Sequence, residues 1–184
     1  MNNPIVQNAS GMLGDTVVFR KVNGKMQIAN KPAPRKRNSE DQIVVQTRFS
    51  RAARYAKKQL GIKEAREMYS ARVTDRLTTP FVVAVTDFLT PPRIHSLDTS
   101  DYLGAIGDPI AVEASDDFMV KAVRVTITQP DGTRLEDGEA VPDPDREDFW
   151  VYKATAVNSD VSGTIIRAIA TDRPGNKATE EVEL

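Results

Sequence analysis

His95 is the only histidine in this 184-residue chain, and there is no cysteine. A nucleophilic relay requires serine, histidine and carboxylate to converge. Ser96 and Asp98 lie close by, but successive side chains on a strand point to opposite faces. We therefore read His95 as a hydrogen-bonded or exposed histidine on a strand, not as a catalytic base. Without cysteine, disulfides and thiolate metal sites are excluded. Gly11-x-x-Gly14 is not a phosphate loop, because no Gly-Lys-Ser/Thr follows it. The sequence points to a non-enzymatic protein with no cofactor.

Carboxylates are the next candidates. Ca²⁺ takes roughly six to eight oxygen ligands. Asp116, Asp117 and Asp172 fall at predicted strand ends and are the possible calcium ligands of this chain. Asp143-Pro-Asp145-Arg-Glu147-Asp148 forms a second acidic loop. Neither has EF-hand spacing, and aspartates at turns also satisfy backbone N–H groups locally.

Arg35-Lys36-Arg37 opens a basic stretch that continues through Arg48, Arg51, Arg54, Lys57 and Lys58. On a helix, Arg51, Arg54 and Lys58 share one face. Such a stripe can follow a phosphate backbone or dock an acidic protein surface. No helix-turn-helix or RNA-recognition signature accompanies it, so protein is the favoured partner and nucleic acid an alternative. The net charge of −1 conceals a division: residues 1–92 carry +9 and residues 93–184 carry −10. Opposite charges of this kind favour docking or head-to-tail association.

Three segments must position these groups. Residues 1–37 contain a flexible turn region at Gly11-Met-Leu-Gly14-Asp15. Two β-rich runs follow, Thr16–Val22 and Lys25–Ala29, joined by Asn23-Gly24, the strongest short hairpin signal. Val17, Val18, Phe19 and Ile28 are their apolar side chains. An isolated hairpin is marginal in water, so this one needs another surface. Lys31-Pro-Ala-Pro-Arg-Lys-Arg37 is an extended basic linker.

Residues 38–92 are expected to be helical. Ser39 and Gln42 form a capping box. Val45, Phe49, Ala52, Ala56 and Leu60 make an apolar stripe ending at Gly61. A second helix runs from Lys63 to about Thr74 and buries Ala65, Met68, Tyr69 and Val73. Phe81–Leu89 is apolar all round, so periodicity allows helix or strand. Thr79-Pro80 as a cap, and the Thr90-Pro91-Pro92 terminator, favour helix.

Residues 93–184 alternate as short strands with turns between them: Ile110, Val112 and Ala114; Val123, Val125 and Ile127; Trp150, Tyr152 and Ala154; Ile166, Ala168 and Ala170. About seven strands in some ninety residues is the count of a sandwich. This half resembles bacterial immunoglobulin-like domains, notably in Ala114-Ser-Asp-Asp117 and Ala170-Thr-Asp-Arg-Pro-Gly-Asn176. It lacks the inter-sheet cysteine pair, so Trp150 packs without a disulfide. The whole chain also resembles bacterial or phage-related proteins with a Gly-x-x-Gly-Asp hairpin ahead of a basic linker and helix. That likeness implies no activity. Immunoglobulin-like modules are common in phage virions, surface filaments and adhesins, and the resemblance implies that set.

The expected class is α+β: an N-terminal β-hairpin arm, a short helical segment and a C-terminal immunoglobulin-like antiparallel sandwich. The expected role is structural or assembly, as in a virion or filament, with self-association through the arm and the basic residues. A recognition module binding carbohydrate or protein through sandwich loops, with Trp150 as platform, is the alternative. The alternation of Trp150 with Tyr152 favours a core position instead. Met1-Asn-Asn-Pro-Ile5 shows no signal-peptide pattern, and no apolar run approaches the roughly 20 residues of a membrane span. A cytoplasmic or assembly-associated protein is expected.

Overall fold

A computed structural model describes residues 10–22, 25–31, 33 and 38–184. Asn23, Gly24, Arg35, Lys36 and Arg37 lie outside these, as do most of the proline linker and residues 1–9. The chain divides into two compact units, Met1–Val44 and Val45–Leu184, with the boundary inside the first turns of a helix.

The first unit contains a three-stranded antiparallel sheet in the order β1 (Gly11–Leu13), β2 (Val17–Val22), β3 (Lys25–Asn30). The β2–β3 register runs from Val17↔Asn30 to Val22↔Lys25. This is the hairpin that the two β-rich runs required. β1 corrects the sequence reading. Gly11–Leu13 is not a flexible turn but a strand, paired Gly11↔Phe19 to Leu13↔Val17. The turn is confined to the residues after it, where Gly14 takes a positive φ of 60°.

Helix α1 (Glu40–Leu60) starts at the expected capping box. Gln42 N donates to Ser39 Oγ at 3.3 Å, and Ser39 N donates to Gln42 Oε1 at 3.1 Å. Of its apolar stripe, Ala52 and Ala56 are fully buried, whereas Val45 and Phe49 are exposed, together with Ile43 and Val44. Helical periodicity identifies the apolar face but not how far neighbours extend along it. α2 (Lys63–Ala71) buries Ala65 and Tyr69 but leaves Met68 partly exposed, and Val73 lies beyond its end. α3 (Pro80–Leu89) is helical, with Thr79 Oγ1 accepting from Val82 N at 3.2 Å and Pro80 opening the first turn.

The strands of the second half form two four-stranded antiparallel sheets. One holds β4 (Arg93–Asp98), β5 (Pro109–Ser115), β9 (Phe149–Lys153) and β8 (Val141–Pro142), in that spatial order. The other holds β11 (Lys177–Glu183), β10 (Ile165–Asp172), β6 (Val120–Thr128) and β7 (Arg134–Glu139). This is the strand order of an immunoglobulin-type sandwich with one extra edge strand. The alternating residues fill its core. Ile110, Val112 and Ala114 from one sheet meet Val123, Val125, Ile127, Ile166, Ala168 and Ala170 from the other.

A second core joins the helices to one end of the sandwich. Ala52, Ala56, Ala65, Tyr69, Val83, Ala84 and Val85 close around Phe118, which lies in the β5–β6 turn. The helical residues after Val44 and the sandwich are thus one body.

Candidate interaction surfaces

The N-terminal sheet carries apolar side chains on both faces. Its register puts Leu13, Val17, Phe19, Met26 and Ile28 on one face, and Met12, Val18, Val22 and Ala29 on the other. None of them belongs to either hydrophobic core. Met12, Leu13 and Ile28 are 61%, 65% and 64% exposed, while Val17, Val18 and Phe19 are half-buried. The charges on these strands are all positive: Arg20, Lys21 and Lys25. Lys31, just beyond them, pairs with Asp15 at 3.0 Å.

Arg51, Arg54 and Lys58 are exposed on α1, away from buried Ala52 and Ala56. Arg48, four residues before Ala52, instead donates to the Leu89 carbonyl at 2.7 Å and clasps the end of α3.

Ser96 and Asp98 do not converge on the histidine. His95 Nε2 lies 2.6 Å from Ser115 Oγ. Ser96 donates to Glu113 at 3.2 Å, and Asp98 accepts from the Ser100 amide and hydroxyl. Each group serves a different neighbour.

Asp116 and Asp172, two of the possible calcium ligands, lie near enough for their charges to interact, but each carboxylate serves its own turn. Asp117 is exposed. Asp116 Oδ2 accepts from the Phe118 and Met119 amides at 3.1 and 3.0 Å, capping the turn. Asp172 accepts from Gly175 N, Asn176 N and Asn176 Nδ2. In the other loop Asp143 holds Arg146. Among the described residues no three metal-type side chains converge as ligands. Trp150 is half-buried and packs against the sandwich core.

The side chains that sequence reasoning missed lie in the helical core. Asp87, on the apolar helix α3, is only 1% exposed. Tyr69 donates to its Oδ2 at 2.5 Å, and the Tyr55 hydroxyl lies 2.9 Å from that of Tyr69. With the Tyr69 proton committed to Asp87, Tyr55 is the donor to Tyr69. Burial pushes the Asp87 carboxyl up to about 6; the Tyr69 hydrogen bond opposes this, the Asp116 and Asp172 charges add to it, and Arg173 offsets it. Burial also raises both tyrosines and Asp116. Arg173 sits 5.7 Å over the Tyr69 ring. Asn176 Nδ2 donates to the Phe88 carbonyl at 3.1 Å, tying the last sandwich turn to α3. One signal was present in the sequence: Asp87 is the sole charge in Pro80–Leu89, and a buried charge needs partners.

Among the described residues the sandwich is open at the edge formed by β7 and β8. β4 and β11 lie side by side at the opposite edge. Between β7 and β8 a cleft of about 750 Å³ remains, lined by Gly138, Val141, Pro142, Val151 and Tyr152, with Asp137, Glu139, Asp143 and Lys153 around it. No helix among the described residues is long and apolar enough to cross a membrane.

No protein-family profile matches the chain, and a search of curated proteins finds no significant match. Solved structures similar to it include CopC from Methylosinus trichosporium OB3b, at 13% identity over 50% of this chain and 89% of that one, with a TM-score of 0.38. Another is a tetra-tandem repeat in the extending region of a large adhesion protein, at 18% identity over 52% of this chain and 23% of that one, with a TM-score of 0.34. These likenesses span about half of this chain.

Proposed function

We propose that this chain is a non-enzymatic structural or assembly protein, of the kind that builds a virion, filament or other multisubunit body. Its N-terminal half attaches and its immunoglobulin-like domain is displayed or docked. The observation that carries this reading is the β1–β3 sheet, whose apolar side chains belong to neither core. A small sheet exposed on this scale is poorly stable by itself and is the kind of surface that marks an interaction site. The partner is another copy of the chain. The +9 and −10 halves supply the polarity of head-to-tail contact, and the exposed Arg51, Arg54 and Lys58 extend the basic face. Multi-angle light scattering of the full chain over a range of concentration and salt tests it. Self-association that weakens as salt rises is expected; a strict monomer at every concentration and salt overturns the proposal.

A further inference from the structure

Two unpaired strand edges in this protein have the same length. β7, at the end of its sheet, has six residues, no proline, and no partner on its outer side among the described residues. β8, the opposing edge, is blunted by its two-residue length and by Pro142. β3, at the end of the N-terminal sheet, also has six residues and, among the described residues, one unpaired side.

Resting on the assembly reading above, we propose that β3 of one copy adds antiparallel to β7 of a second copy, seating its side chains at the open cleft of the sandwich. Strand addition supplies main-chain hydrogen bonds, and alternate side chains supply specificity. Charge complementarity selects this occupant. Residues 17–31 carry four cations and no carboxylate. The cleft is lined by three carboxylates and one lysine. Asp137 already holds Arg124 and Arg134, and Asp143 holds Arg146. Glu139 is exposed and lies opposite Arg124 on β6, whose charge it feels, but no salt bridge among the described residues holds it, so it can take an incoming cation. Six residues on six, run antiparallel, place Lys25 opposite Glu139 and Met26 opposite Gly138. Gly138 is where β7 presents no side chain and the Tyr152 ring packs against the strand. Val141, 67% exposed at the cleft rim, offers an apolar contact.

Charge reversal in trans tests the pairing. In sedimentation velocity on the full chain, Lys25→Glu and Glu139→Lys each weaken self-association roughly fivefold, the swing between opposite and like charges across a strand pair. An equimolar mixture of the two variants recovers the wild-type affinity, because each arm then meets the complementary edge. Both residues are exposed, so neither change threatens a core. Ile28→Asp serves as the control for the arm. Loss of association in Ile28→Asp, with both charge variants like wild type or no recovery on mixing, overturns the β3–β7 pairing and leaves the assembly reading intact. A wild-type chain that never associates overturns both.

Discussion

The Tyr69 hydroxyl donates to Asp87 Oδ2 at 2.5 Å in the core where α2 meets α3, and the Asp87 carboxyl is held at about 6, chiefly by burial. An aspartate whose folded value is raised binds its proton more tightly in the folded state. Its contribution to stability is complete at pH below the unfolded value of 3.8 and is lost as pH rises through about 6. The charge it then carries faces Tyr69, Tyr55, Asp116, Asp172 and Arg173. Asp116, also raised by burial, acts in the same direction. We expect the wild-type chain to lose on the order of 2 kcal/mol between pH 4 and pH 7 from this carboxyl. Asp87→Asn should flatten that dependence. Urea unfolding followed by Trp150 fluorescence reads both; parallel pH profiles for the two proteins would contradict the assignment.

Phe118 provides the second prediction. It sits in a sandwich turn but belongs to the helical core, with its ring centroid 4.6 Å from that of Tyr69 and the Arg72 guanidinium 5.8 Å from it. Phe118→Ala removes that plug, at a cost of about 3 kcal/mol. The loosened helices should expose the segment after α2, so tryptic cleavage at Arg72 and Arg76 accelerates while the sandwich strands stay protected. A cleavage rate equal to wild type would show that the turn does not anchor the helices.

This division also explains what was legible in the sequence. Ile110, Val112 and Ala114, with Val123, Val125 and Ile127, announced themselves because a half-buried strand must alternate. Ser39 with Gln42, and Thr79 with Pro80, announced helix starts because orphan N–H groups need local partners. Phe118 gave no such signal: it follows Asp116-Asp117, which mark the end of a strand, and its ring partners Tyr69 and Arg72 come from α2 and its C-terminal end. Asp87 passed unremarked within an apolar run, since its donor Tyr69 lies 18 residues earlier. The exposure of Val45 and Phe49, members of the apolar stripe, was not legible for the converse reason. A periodic stripe records an apolar face, not the presence of something to cover it.

The capping box yields a third prediction. Ser39 and Gln42 satisfy each other's amides at the start of α1, and the first turns there are exposed. Ser39→Ala should cost about 1 kcal/mol of local helix stability. Amide hydrogen exchange should quicken over Asp41 to Val45 and stay unchanged around Ala52 and Ala56, which the second core holds. Uniform acceleration along the whole helix would mean that the cap controls more than its own turn.

Gly104 yields the last. Its φ is +92°, and a Cβ placed there would stand 2.2 Å from the Asn158 carbonyl oxygen. That approach is structural, because Asn158 N donates to the Gly104 carbonyl at 2.8 Å, and the Asn158 side chain in turn donates to buried Thr164 at 2.9 Å. Gly104→Ala therefore combines an unfavourable backbone conformation with a collision against main chain, which no rotamer change relieves. The left-handed conformation alone costs about 1 kcal/mol or more, and displacing the Asn158 segment adds the loss of its hydrogen bonds. We expect a destabilisation of about 2–4 kcal/mol in thermal or urea unfolding. Gly107→Ala is the control: its φ is +94°, but an added Cβ meets nothing within 4 Å. It carries the conformational cost without the collision, so equal losses in the two variants would refute the role given to the Gly104–Asn158 contact.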